Sequence, residues 1–278
     1  MSIRYITFEV SGRCNMNCPF CFSDWRTQSQ EMSTADAKKC IALFKEQGLE
    51  AINFTGGEPL MRQDIVELLT HAKQLGIITI LTTNGILVEQ QLPGIAPLVD
   101  FIGLPLDSAD ATIHNALRPT PLSKNHQQLV LDLLALITST YPHIGIKINT
   151  IVTRKNMQNL PEIGNLLKGK VVSWKLSHFT AGGHSTPCAD EFSVSAREYL
   201  DVVAQCRRAH PDINIVSAIA HERDDCCRII SSIGNLLQPT KAGLENLGQV
   251  LSLPSELISK GFNQPKNERV LRQTYVHK

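Results

Sequence analysis

The stretch "GIKINTIV" (145–152) sets the tightest limit on what this chain can fold into. In an extended segment successive side chains alternate, so Ile146, Ile148, Thr150 and Val152 take one face and Lys147, Asn149 and Ile151 the other. "AINFT" (51–55) repeats this, with Ile52 and Phe54 against Asn53 and Thr55, and "SWKLS" (173–177) sets Trp174 and Leu176 against Lys175 and Ser177. A strand between two layers of helices is apolar on both faces. These strands therefore need helices on one side only and an interior on the other that holds something polar.

The rest of the chain alternates strand and helix. Strand patterns at 4–10, 51–55, the start of "IITILTTNG" (77–85), 101–108, 144–152, 171–177 and 213–217 are separated by helical stripes near 32–48, 64–76, 124–140, 156–168 and 195–209. Ser33, three residues before Asp36, predicts a helix cap, and Gly48 and Gly76 predict helix ends. Strands joined by crossover helices form a parallel sheet with right-handed connections. The expectation is an α/β fold, a partial (β/α)6 TIM-like barrel over residues 1–220, with a C-terminal extension over 221–278 covering the active site. In that extension "RIISSIGNLLQ" (228–238) predicts a β-hairpin, "AGLENLGQVL" and "PSELISKGF" predict short helices, and the rest reads as a polar tail. "FTAGGHSTPCADEF" (179–192) has the composition of a flexible lid.

Bulk composition narrows the partners. The 278 residues carry a formal net charge of +1 with no basic block, so the footprint of a nucleic-acid binder is missing. No apolar run approaches the roughly 20 residues of a membrane span, and "MSIRYITFEV" reads as a strand rather than a signal peptide. Eight cysteines in such a chain suit a reducing, cytoplasmic setting where thiols serve metals or catalysis. Cys40 and Cys206 fall on helical stripes and read as buried apolar thiols.

Three of the cysteines stand apart. "SGRCNMNCPFC" (11–21) places Cys14, Cys18 and Cys21 in a C-x3-C-x2-C array just after the first strand, at the rim where such barrels place their chemistry. A structural zinc ion wants four ligands, and no fourth follows at a usual spacing. Iron–sulfur cubanes are held by thiolates, usually four. Three thiolates leave one iron open, and an open iron implies that a substrate or cosubstrate binds the metal. An inert loop is the bland alternative.

With these residues the sequence resembles the radical S-adenosylmethionine (SAM) superfamily, whose hallmark is C-x3-C-x2-C with an aromatic, here Phe20, before the last cysteine. A second motif of that family, "TGGEP", is Thr55, Gly56, Gly57, Glu58 and Pro59. The resemblance implies a [4Fe-4S] cluster on Cys14, Cys18 and Cys21, and SAM chelated to its open iron. It implies that Gly56, Gly57 and Glu58 receive the methionyl ammonium, with the glycines letting backbone approach the ligand. "TTNG" (82–85), with Thr83 and Asn84, and Asp107 and Ser108 would meet the ribose and sulfonium side. An electron donor such as flavodoxin or ferredoxin would drive reductive cleavage of SAM to a 5′-deoxyadenosyl radical, which takes hydrogen from a bound substrate.

Inward-facing Lys147 and Lys175, with Arg118 and Arg154 near strand ends, predict an electropositive cavity and an anionic substrate, unless carboxylates such as Glu9 neutralise them. Arg154 and Arg26 also read as solvated rim residues. The stretches "INFTGGEPL", "DSAD", "KINTIVTRKN", "SWKLS" and "RIISSIGNLLQPTKAGLENLGQVL" are similar to the viperin-like nucleotide dehydratases. That resemblance implies dehydration of a nucleotide to its 3′-deoxy-3′,4′-didehydro form, a lyase reaction linked to antiviral defence. Lys147, Asn149 and Lys175 would meet the nucleotide or its phosphates, and Arg118 the SAM carboxylate or phosphates. The chain departs from the branch at Ala51, where a basic residue usually grips the terminal phosphates, at Thr7, and in its tail "TYVHK". A radical SAM peptide maturase or a nucleotide-sugar or small-metabolite enzyme is the alternative. Cys188, Cys226 and Cys227 are the candidates for a maturase's extra cluster, though neighbouring cysteines do not readily share one.

Overall fold

The computed structural model describes residues 3–22, 30–121, 125–219, 227–240, 243–259 and 262–275; Arg26 and Cys226 lie outside the described residues. The first strands and helices are β1 (Tyr5–Ser11), α1 (Thr34–Glu46), β2 (Ala51–Gly56), α2 (Ile65–Gln74), β3 (Ile78–Thr82), α3 (Val88–Ile95) and β4 (Phe101–Pro105). Then follow α4 (Ala111–Leu117), α5 (His126–Thr140), β5 (Gly145–Val152), α6 (Leu160–Leu167) and β6 (Ser173–His178). The remainder is α7 (Ala189–Phe192), α8 (Ala196–Ala209), β7 (Ile215–Ala218), β8 (Ile229–Ile230), β9 (Asn235–Thr240), β10 (Gly243–Gln249), α9 (Ser255–Ile258) and α10 (Gln264–Tyr275).

Among the described residues the strands join one ten-stranded sheet in the order β10-β9-β8-β1-β2-β3-β4-β5-β6-β7. The seven strands β1 to β7 run parallel in sequence order, as the strand–helix alternation predicts. β8 joins β1 in parallel, and β9 and β10 follow antiparallel. β7 ends the sheet at one edge and β10 at the other, so the barrel is partial.

The one-sided strands sort as their alternation requires. Ile52, Phe54, Ile146, Ile148, Trp174 and Leu176 lie in the main apolar core beneath the helices. Asn53, Thr55, Lys147, Asn149, Ile151, Lys175 and Ser177 line a central cavity. Cys40 and Cys206 are fully buried in the core. Ser33 caps α1 by accepting from the Asp36 N–H.

Three expectations are corrected. Most of "AGLENLGQVL" is strand rather than helix: Leu244 and Leu247 have helical spacing, but pairing with β9 makes Gly243–Gln249 a strand, with an irregularity between Asn246 and Gly248, before a 3-10 turn at Val250–Ser252. The segment expected as a flexible lid is a 3-10 turn at Gly183–Cys188 followed by α7, because Phe192 is buried against Phe20 and Phe179. The polar tail is the helix α10. Its Asn267 is buried where β1 begins, its Oδ1 accepting from the Arg4 and Tyr5 N–H groups while its Nδ2 donates to the Tyr5 carbonyl. Beside it Leu271 and Tyr275 pack with Tyr5, Ala51, Ile80 and Phe101, closing the barrel floor. Among the described residues no helix is long and apolar enough to cross a membrane.

Asn267 satisfies backbone groups that the sheet cannot, so Asn267→Ala strands them in a buried site. We expect a loss of about 2–4 kcal/mol, read as a lower urea midpoint with an unchanged slope.

Candidate functional site

The loop after β1 is held against β2 by backbone. The Gly57 N–H donates to the Ser11 carbonyl at 2.8 Å and the Glu58 N–H to the Arg13 carbonyl at 2.7 Å. A Cβ on Gly57 would lie 2.2 Å from the Arg13 oxygen, and one on Gly56, whose φ is +143°, 2.2 Å from the Ser11 oxygen. Both glycines are thus demanded by the crossing of the cysteine loop, a reason that differs from the expected approach of a ligand.

That crossing sets Cys14, Cys18 and Cys21 on one wall of a cavity of about 820 Å³. The Cys21 N–H donates to the Cys18 carbonyl, so the last two thiols share one turn. The Cys14 sulfur receives the Met16 N–H at 3.4 Å and the Asn84 Nδ2 at 3.8 Å, and the same Nδ2 donates to the Asn15 Oδ1 at 2.7 Å. Phe20 packs edge-on to Phe192 and carries the Arg118 guanidinium 5.0 Å above its ring.

These residues fit a thiolate-held cluster. Burial pushes the Cys18 thiol up to about 12, Arg118 draws it down, and Cys21 and Cys14 push it up again. Cys14 is raised by burial as well. Three neighbouring thiols become thiolates together only on a cationic metal group, and N–H donors on a sulfur are what such ligands receive. Among the described residues no three His, Cys, Asp or Glu side chains close around a single ion. A cubane, whose irons each take one thiolate, spaces its ligands more widely than one zinc ion does.

Behind the wall stand the other motif residues. Glu58 is fully buried. Its carboxylate accepts from the Leu60 N–H, the Thr83 hydroxyl and the Asn84 N–H at 3.0, 2.7 and 2.7 Å. It ties "GGEP" to "TTNG", while burial pushes its carboxyl up to about 7. Asp107, also fully buried, accepts from Arg118 Nε at 2.5 Å and from the Ile151 N–H at 2.8 Å.

Sequence reasoning missed His114 and His126, which join these two parts. The Asp107 N–H can only donate, so His114 Nδ1 accepts at 3.1 Å. The proton on His114 Nε2 then points to His126 Nδ1 at 2.8 Å, and His126 Nε2 donates to the Asn84 carbonyl at 2.8 Å. Both ends impose the same direction, so both rings are neutral Nε2–H tautomers. Burial and the Arg118 charge lower His114 to about 2 and His126 to about 4. The pair is a fixed strut between the Arg118 anchor and the Asn84 that meets the cysteine loop.

Of the residues singled out in the sequence, Cys14, Cys18, Phe20, Cys21, Thr55, Gly56, Gly57, Thr83, Asn84, Arg118, Lys147, Asn149 and Lys175 line the one cavity. Glu58, Pro59, Asp107 and Ser108 are buried behind it. Cys188 packs beside the aromatic roof of Phe20, Phe179 and Phe192, and Cys227 lines the cavity. Arg154 is exposed and donates to the Ser193 carbonyl. Glu9 forms no ion pair among the described residues, and burial pushes its carboxyl up to about 7. The sequence reading also missed Lys266, Arg269, Gln273 and Tyr275 of α10, which line the cavity. Their helical spacing in "QPKNERVLRQTY" was the available signal.

A partial parallel barrel with three rim thiols defines a cluster-type enzyme scaffold, and comparison with known proteins gives its family. The Radical SAM superfamily profile matches residues 8–164, more than half of the chain, and the chain belongs to that superfamily. Members of this superfamily use a [4Fe-4S] cluster and SAM. It is 30% identical over 205 residues to an AdoMet-dependent heme synthase of Nitratidesulfovibrio vulgaris, covering 72% of this chain and 54% of that protein. It is 29% identical over 225 residues to an S-adenosylmethionine-dependent nucleotide dehydratase of Lacinutrix mariniflava, covering 76% of this chain and 45% of that protein. The chain spans about half the length of the curated relatives it matches. Streptococcus suis SuiB, solved with S-adenosylmethionine, has the same fold, with a TM-score of 0.71 at 16% identity over 97% of this chain and 68% of SuiB.

Unfolded, His114 and His126 would titrate near their ordinary value of 6.5. Their neutral state contributes stability that is full above that pH and is lost as pH falls toward the folded values. The raised carboxyls of Glu9 and Glu58 act in the opposite sense over the same range, so the pair is read as a difference: between about pH 7 and pH 4.5 we expect the urea midpoint of a His114→Gln, His126→Gln double variant to shift upward relative to that of the wild type as pH falls.

Proposed function

We propose that Cys14, Cys18 and Cys21 hold the [4Fe-4S] cluster and that the chain removes hydrogen from a small anionic substrate, a nucleotide, in a viperin-like dehydration. One observation carries the reading. The cavity that the three thiols enter is lined by Arg118, Lys147, Lys175, Lys266 and Arg269, and by no Asp or Glu among the described residues. A cavity lined by five cationic side chains favours an anionic ligand.

When bound, the cluster supplies the electron that cleaves SAM, drawn from a donor such as flavodoxin or ferredoxin. The chain's own residues bind and orient. Thr55, Gly56, Gly57, Thr83 and Asn84 form the wall beside the cysteines, against which SAM lies. Glu58 and Pro59 support that wall from behind, as Asp107 and Ser108 support the Arg118 side. Arg118, fixed by Asp107 and stacked on Phe20, offers its guanidinium to the SAM carboxylate or to phosphate. Asn149 and Lys175, paired across neighbouring strands, and Lys147 face the substrate. Lys147 Nζ donates to Tyr275 Oη at 2.9 Å, which aims the ammonium along the barrel floor. The resemblance to the nucleotide dehydratase of Lacinutrix mariniflava supports the substrate class and the lyase reaction.

The test is anaerobic reconstitution with iron and sulfide, then SAM, reductant and one candidate at a time, reading 5′-deoxyadenosine. One nucleoside triphosphate should raise 5′-deoxyadenosine at least about tenfold, a factor of about 1.4 kcal/mol in barrier, and yield a product lighter by one water. Stimulation only by a peptide, or by a nucleotide sugar, defeats the nucleotide reading. Cys18→Ala should lose the cluster's visible absorbance, and retained absorbance with turnover defeats the thiol assignment.

A further inference from the structure

Asn84 is held at every polar group it has. Its N–H donates to the Glu58 carboxylate at 2.7 Å, and its carbonyl accepts from His126 Nε2 at 2.8 Å. Its side-chain oxygen accepts from the Ile86 N–H at 2.9 Å. A backbone N–H can bond only to the oxygen end of an amide, so the side chain has one orientation and Nδ2 faces the cysteine loop. There the two Nδ2 protons meet two acceptors, the Asn15 Oδ1 at 2.7 Å and the Cys14 sulfur at 3.8 Å. The Met16 N–H is a second donor to that sulfur at 3.4 Å.

The clamp on the carbonyl comes from outside the "TTNG" motif. His126 opens α5 and His114 lies in α4; both are buried, with 9° between their ring planes. His114 Nδ1 accepts from the Asp107 N–H and its Nε2 donates to His126 Nδ1, which leaves His126 Nε2 to donate to Asn84. Both rings are neutral in this arrangement, so the pair brings no charge toward the thiols. What it delivers is a fixed position of the Asn84 backbone. Were the Asn84 amide turned over, its oxygen would point at the sulfur and the bond from Ile86 would be lost.

We propose that Asn84, clamped by His126, tunes the reduction potential of the cluster by donating its amide N–H to the Cys14 thiolate. This rests on the thiol assignment above and is independent of the substrate. Reduction adds one electron from the external donor, forms and breaks no bond, and leaves more negative charge on the ligand sulfurs. An N–H dipole aimed at such a sulfur stabilises that charge and raises the potential, bringing it within reach of the donor. An amide oxygen in the same place would do the reverse, which gives the single orientation imposed by Ile86 a purpose. His126 is a positioning residue, acting through the Asn84 backbone to keep Nδ2 at the sulfur.

The experiment is a mediated redox titration of the anaerobically reconstituted full chain, with the reduced cluster read by electron paramagnetic resonance. SAM and substrate are left out, so a contact between Asn84 and SAM cannot produce the signal. Asn84→Leu keeps the side chain's shape and removes the donor. It should lower the potential, the ratio of reduced to oxidised cluster at a fixed ambient potential falling about tenfold, or about 59 mV for one electron. Asn84→Asp, which retains the acceptor for Ile86, should shift it in the same direction and serves if the leucine variant takes up no cluster. His126→Leu should lower the potential by a smaller step, and His126→Gln, whose amide N–H can reach the same carbonyl, should restore most of it. Iron and sulfide content and melting curves verify that each variant is loaded and folded. If loaded Asn84 variants keep the wild-type potential or shift upward, the tuning role is refuted and the thiol assignment stands. If His126→Leu leaves the potential unchanged, or His126→Gln lowers it as much, the clamp is refuted. If the wild type takes up no cluster, the thiol assignment fails and this proposal with it.

Discussion

The structure hinges on one place where two backbones touch. Between Ser11–Arg13 and Gly56–Glu58 there is no room for a side chain, and two backbone hydrogen bonds hold the segments together. The cysteine loop is therefore not a free excursion from β1. It is stitched to the end of β2, and the thiols inherit the rigidity of the sheet. Glu58 extends the stitching to β3 through Thr83 and Asn84. From Asn84 the histidine pair reaches Asp107 and so Arg118. Each tie uses buried groups satisfied by fixed partners, which favours one arrangement over many.

The second constraint is electrostatic. The strands of this barrel pack their apolar side chains under the outer helices and leave a largely polar lumen. Here the filling is uneven, with sulfur, glycine, amides and the Arg118 guanidinium at one end and the other basic side chains along the wall and floor. A bipolar cavity of this kind orients a bipolar ligand. Closure of the floor falls to the C-terminal helix, whose Tyr275 stacks on Tyr5 and meets Phe101 edge-on.

Much of this was legible from residues near each other in the chain. Period-two alternation in "AINFT" and "GIKINTIV" placed Asn53, Lys147 and Asn149 in the lumen, because a strand leaves its side chains no other choice. The C-x3-C-x2-C spacing marked the rim. "GLENLGQ" misled because two leucines three apart satisfy a helix as well as a strand edge, and only β9 decides between them. The segment 179–192 misled for a similar reason: its glycines suggest freedom, but Phe192 docks on Phe20, far away in sequence. Glu58 was assigned to the ligand by its motif, and only the fold shows that its carboxylate also ties the wall to Thr83 and Asn84.

The sequence by itself determined the strand faces, the mostly parallel order of the barrel and the thiol array, since each depends on short-range periodicity or spacing. Tertiary structure alone decided why Gly56 and Gly57 are glycines, which way the histidine protons point, and that a polar-looking tail seals the floor. Those outcomes depend on contacts such as Asn267 with Tyr5, 262 residues apart. No local pattern encodes the partner of a buried polar group; only the folded chain brings it within hydrogen-bonding distance.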